Sequence, residues 1–347
     1  MSLIQFTFLG LLVPVIFTDA TTVALVPTVT LSDGQRMPIM GFGTYAHSEN
    51  GDRLNIYQAV RDAIRAGWRH IDTAHIYQSE DQVGHAIKDA ITAGEVTRDQ
   101  LFVTTKLWLR SFERDHVVLA LNESLHKLQL DYVNLYLIHW PIPIVRDSPD
   151  DAPELDNELD IYTETWGGME DVHRAGLTKS IGVSNFNSAQ IEKLLTLANI
   201  RPVLNQVESH PFQTQSKLLA YLHHQGVQMA AFSPMGGSPS PPGIVRSDST
   251  PEVRLEMFAS ETIQEIAAKH SKNVGQVLLK YHVTRGIVVI SKSTSKHHIL
   301  SNLDIFDFSL DDEDMARLNA LNANVRHIHS RPWRNHKNYP FTGIDDS

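Results

Sequence analysis

The sequence predicts an α/β protein folded as one (β/α)8 barrel of the TIM type, with an N-terminal β-hairpin, long loops at one rim and a C-terminal helix and tail. Two observations predict it. Short apolar runs alternate strictly with amphipathic segments of about 10 to 15 residues, eight times over and with no linker between them. Three of those runs also end on a chemically useful side chain: WRHID on Asp72, LFVTTK on Lys106 and VNLYLIH on His139. In a barrel of parallel strands such ends converge on one face, which is why one barrel is preferred to a doubly wound sheet. The length of 347 residues is ample for its core.

In chain order, VTLSDGQRMPIM places two short runs either side of Ser32-Asp33-Gly34, a turn signal that makes a hairpin. A strand near Gly41 leads to a helix from Leu54 to Ala66, a strand from Trp68 to Ile71 and a helix from Asp81 to Ala93. The series continues with strand Leu101 to Thr105, helix Asp115 to Leu128 and strand Tyr132 to Ile138. A Pro- and Asp-rich loop, Pro141 to Leu159, interrupts it. Helix Ile161 to Ala175, strand Lys179 to Val183, helix Ser188 to Ala198, strand Val203 to Val207, helix Ser216 to Gln225 and strand Val227 to Phe232 follow. A second long loop, Pro234 to Val253, is rich in Gly, Pro and Ser. Helices Glu261 to His270 and Val274 to Thr284 precede the last strand, Gly286 to Ile290. From Asp311 a helix with acids in its first turn gives way to an irregular tail holding Trp333, Tyr339 and Phe341. Loops this long are usually functional, and the three together could wall a cleft.

The first twenty residues stand apart. Leu3 to Phe17 is nearly all apolar and is followed by Thr18, Asp19 and Ala20, the pattern of a secretion signal cut after Ala20. The run is shorter than the roughly 20 residues a membrane span requires. The expected mature protein is therefore extracellular, residues 21 to 347 forming a single domain with no membrane attachment. The chain has no cysteine, which rules out disulfides and thiolate metal sites. One sequon, Asn122-Glu123-Ser124, falls inside a predicted helix. A net charge of -10 argues against nucleic acid or an anionic membrane as partner and leaves a small molecule.

The chemistry gathers around Tyr77, five residues beyond Asp72. A free phenol titrates near ~10 and is a poor donor at neutral pH. The expectation is that the Lys106 ammonium lowers that value, that Asp72 holds Lys106 charged and aimed, and that His139 orients a carbonyl oxygen. Such a set suits protonation of an oxygen on which negative charge develops. The same residues would also make a buried ion pair beside a core histidine. Despite 18 histidines, no HExxH or i,i+4 pair on a helix suggests a metal, and His223-His224 and His297-His298 read as surface residues. No GxSxG elbow or Cys nucleophile suggests acyl transfer.

Motifs then carry a resemblance. Asp72-Thr73-Ala74 with Tyr77, Glu80 and Val83-Gly84, Lys106-Leu107-Trp108, Leu137 to Pro141, Ile181 to Phe186, Asn205 to Glu208 with His210-Pro211, and His336-Lys337 with Tyr339 to Phe341 resemble the aldo-keto reductase superfamily, from about Val29 to Phe341. The resemblance implies extended binding of NADPH without a Rossmann fold, with Tyr77 as proton donor, Lys106 and Asp72 tuning it and His139 positioning the carbonyl oxygen. It places Gly43, Thr44, Tyr45 and Asp72 at the nicotinamide end, with Ser184, Asn185 and Gln206 on the carboxamide. Phe232 takes the place of the usual stacking Tyr, followed by Ser233 and Met235. At the adenosine end the resemblance implies Ile290, Lys292, Ser293, Thr294 and Asn302. There His298 stands where the family has Arg and Ser301 where it has Glu, so a weaker preference for NADPH is expected.

Trp108, Trp140 and Trp333, with Tyr77 and His139, are the expected substrate contacts. Three functions compete: a reductase of a steroid-like ketone, a broad aldehyde or aldose reductase, and an idle member used for binding. The complete set around Tyr77 counts against the third. The secretion signal favours the first, because a secreted member of this length resembles the reductases that act on the 3-oxo group of ecdysteroids. A monomer is expected.

Overall fold

The computed structural model describes residues 26–45, 55–149, 153–237, 253–329 and 331–341. The leader read as a secretion signal lies outside them, as does most of the second long loop.

Eight parallel strands close a barrel. They are β3 (Met40–Gly43), β4 (His70–Asp72), β5 (Phe102–Leu107), β6 (Val133–Ile138), β7 (Thr178–Ser184), β8 (Leu204–Glu208), β9 (Gln228–Phe232) and β10 (Val288–Ser291), which pairs with both β9 and β3. Before them β1 (Thr28–Thr30) and β2 (Arg36–Pro38) form the expected antiparallel hairpin. Its side chains Leu31 and Met37 join Phe102, Leu135, Leu137, Leu204, Val288 and Ile290 in one buried cluster. The spacing of two along β6 and β10 marks these as the inward face of the strands. The hairpin thus plugs the barrel at the end away from the catalytic rim, and Ser180 Oγ donates to Asp33 Oδ2 at 2.5 Å to tie its turn to β7.

A larger cluster fills the ring between barrel and helices. Helix α1 (Ile56–Ala66) shows how the sequence builds it. Its buried apolar residues Ile56, Ala59, Val60, Ala63 and Ile64 recur at i, i+3, i+4, i+7 and i+8, one helical stripe. Asn55 caps its start by accepting from Gln58 N–H, and Gly67 ends it at φ 106°, a conformation costly for any residue with a Cβ. Helices α2 (Glu80–Thr92) and α3 (Arg114–Leu128) approach so closely that a Cβ on Gly84 would come within 2.5 Å of Lys127 O.

The remaining helices are α4 (Trp166–Arg174), α5 (Ser188–Leu197), α6 (Ser216–Gln225), α7 (Val253–Ala259), α8 (Glu261–Lys269), α9 (Val274–Thr284), α10 (Lys296–Ser301) and α11 (Asp312–Asn319). Three differ from expectation. The predicted helix from Ile161 begins as a π-turn, Ile161–Thr165, and becomes α-helical only at Trp166; Thr165 Oγ1 is drawn to Phe112 O at 2.7 Å there. Helix α7 stands where no helix was predicted, just after the second long loop. Helix α10 was missed because it is six residues long with one buried side chain, Ile299, too little for a periodic signal. The first long loop is a folded excursion, with Ile144 bridged to Leu155 and the Arg110 guanidinium donating to Arg146 O and Ser148 O. Among the described residues no helix is long and apolar enough to cross a membrane.

Candidate active site

The barrel delivers the predicted residues to one rim. Asp72 ends β4, Lys106 lies one residue before the end of β5, His139 follows β6, Ser184 ends β7 and Phe232 ends β9. Tyr77 closes a 3-10 turn, His75–Tyr77, that Gln78 terminates in the left-handed region at φ 53°. Lys106 Nζ donates to Asp72 Oδ1 at 2.6 Å and to Thr73 O at 3.0 Å, and it reaches the Tyr77 hydroxyl at 3.4 Å. The second oxygen of Asp72 accepts from Gln206 Nε2 at 2.8 Å. Asp72 and Lys106 are both buried, so their charges depend on each other.

Lys106 lowers the Tyr77 phenol as expected, but it is outweighed. Burial pushes the Tyr77 phenol up, Lys106 pulls it down and Asp72 pushes it up again, and the net shift is upward, not downward. Tyr77 is only partly covered, with one side open to the cleft, so burial acts on it as a packed rim rather than a sealed interior. The consequence is a phenol that keeps its proton at neutral pH, with an ammonium ready to stabilise the phenolate once the proton leaves. Burial alone would drive Lys106 toward neutrality, but Asp72 and Tyr77 together raise it above its ordinary value. Burial, aided by Lys106, holds His139 well below the usual imidazole range, hence neutral. Its ring meets Tyr77 edge-on at 5.7 Å and Trp108 at 5.3 Å between centroids.

An open cleft of about 1100 Å³, counted out to solvent, runs from this group across the rim. Gly43, Thr44, Tyr45, Asp72, Tyr77, His139 and Trp140 line one part of it, and Asn185, Gln206, Phe232, Ser233 and Met235 another, so the structure brings these sequence-predicted residues together. Asn185 adopts the left-handed backbone at φ 62°, which Asn tolerates better than most residues, and donates from Nδ2 to His139 O at 2.9 Å. Its Oδ1 is buried and without a hydrogen-bond partner. Ser184 lies just beneath, donating to Gln206 O at 2.7 Å.

At the far end Ile290 and Lys292 line the cleft. Ser293, Thr294, His298 and Asn302 do not. Ser293 Oγ accepts from Ser295 N–H at 3.1 Å, and Asn302 Nδ2 reaches Ser291 Oγ at 3.5 Å behind the wall. His298 is exposed on α10 with its ring 5.4 Å from that of His297. Trp108 and Trp333 form a second layer: Trp333 packs edge-on against Trp108 at 6.0 Å and against Trp140 at 5.7 Å. Ile76, Pro234, Gly237, Ser291 and Ile328 line the cleft unanticipated. Ile76 and Ser291 adjoin residues that were singled out, whereas Ile328 arrives from a tail with no periodicity to read.

The cleft suits a dinucleotide with a nicotinamide at the Tyr77 end. The partnerless Asn185 Oδ1 is an acceptor for a carboxamide N–H, Phe232 offers a flat face, and Lys292 brings a cation to the opposite end.

Known proteins resemble this chain in sequence and fold. Residues 39–323 match the family described as "Aldo/keto reductase family". Aldo-keto reductase AKR2E4 of Bombyx mori is 45% identical over 324 residues, covering 90% of this chain and 98% of that protein. Estradiol 17 beta-dehydrogenase 5 of Mus musculus is 39% identical over 321 residues, 90% and 97% of the two chains. The crystal structure of Bombyx mori AKR2E4 in complex with NADP superposes with a TM-score of 0.79 at 43% identity, covering 91% of this chain and 99% of that one.

Proposed function

The chain belongs to the aldo/keto reductase family and is an NADP-dependent oxidoreductase, and from that premise we propose that it acts outside the cell, reducing the 3-oxo group of an ecdysteroid to the alcohol. Lys106 carries the reading: it joins Asp72 to Tyr77 at the edge of the cleft, with neutral His139 alongside. NADPH, when bound, supplies the hydride for the carbonyl carbon. The protein supplies the rest. His139 donates a hydrogen bond that orients the carbonyl oxygen, and Tyr77 passes its proton to that oxygen as charge develops on it. The resulting phenolate is held by Lys106, itself kept charged by Asp72. Asn185 and Gln206 would hold the nicotinamide, with Ser184 bound to the Gln206 carbonyl beneath them.

Three features favour a steroid. Trp140, backed by Trp108 and Trp333, gives the cleft a broad aromatic flank suited to a flat polycyclic body. A relative of similar length is named for estradiol. The apolar leader, Leu3 to Phe17, has the pattern of a secretion signal, which supports action where circulating hormones are met. The test is a panel of small aldehydes, aldoses and oxo-steroids assayed with NADPH. Turnover of a 3-oxo ecdysteroid at a kcat/KM above that of every sugar supports the proposal. Efficient reduction of small aldehydes with no steroid turned over or inhibiting would make this a general aldehyde reductase.

A further inference from the structure

Glu208, the last residue of β8, is fully buried and takes no part in the group around Tyr77. Its Oε1 accepts from His210 Nε2 at 3.0 Å and from His327 N–H at 2.5 Å, and its Oε2 accepts from Ile328 N–H at 2.8 Å. A carboxylate only accepts, so His210 carries a proton on Nε2. Two of the three bonds leave the barrel and grip the C-terminal tail by its backbone. The gripped residue Ile328 lines the cleft. Beyond it, Trp333 packs on Trp140, and the distal end of the tail is hooked to α5, where Asn187 Nδ2 donates to Pro340 O at 3.0 Å and Gln190 Nε2 to Asn338 O at 2.8 Å. The tail is thus fastened at both ends; at its near end the Phe212 carbonyl accepts from Ala323 and Val325 N–H, and Glu208 takes over at His327 and Ile328, where the tail meets the cleft.

We infer that Glu208 is a positioning residue for substrate specificity: by holding the backbone at His327 and Ile328 it sets where the tail lies against the cleft, and so which bulky carbonyl compounds fit. It touches neither substrate nor cofactor. The inference rests on the reductase reading but not on the identity of the steroid. A change at Glu208 should therefore weigh more on a bulky ketone, which fills more of the cleft that Ile328 lines, than on a short aldehyde held by Tyr77 and His139.

The experiment compares the full chain with Glu208→Gln, which keeps the volume but turns an amide N–H₂ toward a backbone donor. NADPH binding is measured along with kcat and KM for a short aliphatic aldehyde and for a 3-oxo steroid, or for the bulkiest ketone turned over if no steroid is. The expected result is a rise of about tenfold in KM for the bulky ketone, with the aldehyde constants and NADPH affinity within about twofold of wild type. Ile328→Ala should alter the same KM, and the double variant should do no more than the larger single change, since both act through one element. Equal losses for both substrates, no change for either, or full additivity would overturn the assignment. If Glu208→Gln does not fold, Ile328→Pro removes the donated N–H from the tail and leaves the barrel carboxylate in place, with the same outcomes deciding. A wild-type protein that reduces no carbonyl compound would instead remove the reductase reading on which the inference stands.

Discussion

At the scale of single residues, the reacting group depends on a buried ion pair with each charge held by the other. Removing one member leaves the other uncompensated, so Lys106→Met is expected to cost about 3 to 5 kcal/mol of stability, read by denaturant unfolding. Adding Asp72→Asn should recover most of that loss while activity stays absent. A double variant no more stable than Lys106→Met would show that the pair is not what holds the rim. Asp72, Lys106, Tyr77 and His139 were legible in the sequence because each is a polar residue where an apolar run becomes a loop, and apolar runs are the strongest signal a sequence carries. The sign of the Tyr77 shift was not legible, since it depends on how much side chain packs around the ring. Glu208 was visible as part of a motif, but its partners lie 119 and 120 positions away along the chain, and no local pattern announces them. The placement of His298 leads to a further expectation. His298→Arg should tighten NADPH more than NADH if the exposed face of α10 adjoins the 2'-phosphate; equal affinity changes for both would place His298 away from it.

At the scale of elements, strand and helix positions were read well wherever an amphipathic stripe was long enough. Helix α1 was placed within two residues at its start, whereas α10 and the π-turn before α4 had too few buried positions to signal themselves. Helix caps were hidden for a different reason, because capping depends on φ and ψ as well as residue type. Helices α5 and α9 begin with the same reciprocal box, Asn187 with Gln190 and Asn273 with Gln276. Asn187→Ala and Asn273→Ala should therefore each lower stability by about 1 kcal/mol. Only Asn187 also holds the tail, so only its replacement should speed proteolytic cleavage near residue 340. Equal cleavage rates in the two variants would show that the α5 hook does not secure the tail.

At the scale of the whole molecule, buried imidazoles make stability depend on pH. Burial lowers His70 to about 4 and His282 to about 3, against an ordinary value of 6.5. The unfolded chain therefore binds more protons than the folded one below pH 6.5. Stability is full above that value and falls as the pH drops toward 4 and then 3, by up to about 1.4 kcal/mol per pH unit for each ring. His70→Gln should flatten the fall between about pH 6 and 4; an unchanged slope would remove His70 as a cause. Reducing agent should leave the melting temperature unchanged, because the chain has no cysteine. Expression through a eukaryotic secretory pathway should give protein in the medium beginning near Thr21, and retention in the cell with Met1 intact would contradict the proposed extracellular role.

The central claim is that Tyr77 gives its proton to a substrate carbonyl oxygen beside bound NADPH. It is tested most directly by Tyr77→Phe, assayed by consumption of NADPH with a reactive aldehyde and by direct titration of NADPH binding. The expected result is a loss of kcat of about a thousandfold or more with NADPH affinity within about twofold of wild type, because the ring still fills its place while the proton is gone. Residual turnover within about tenfold of wild type, equivalent to only ~1.4 kcal/mol of transition-state stabilisation, would contradict it.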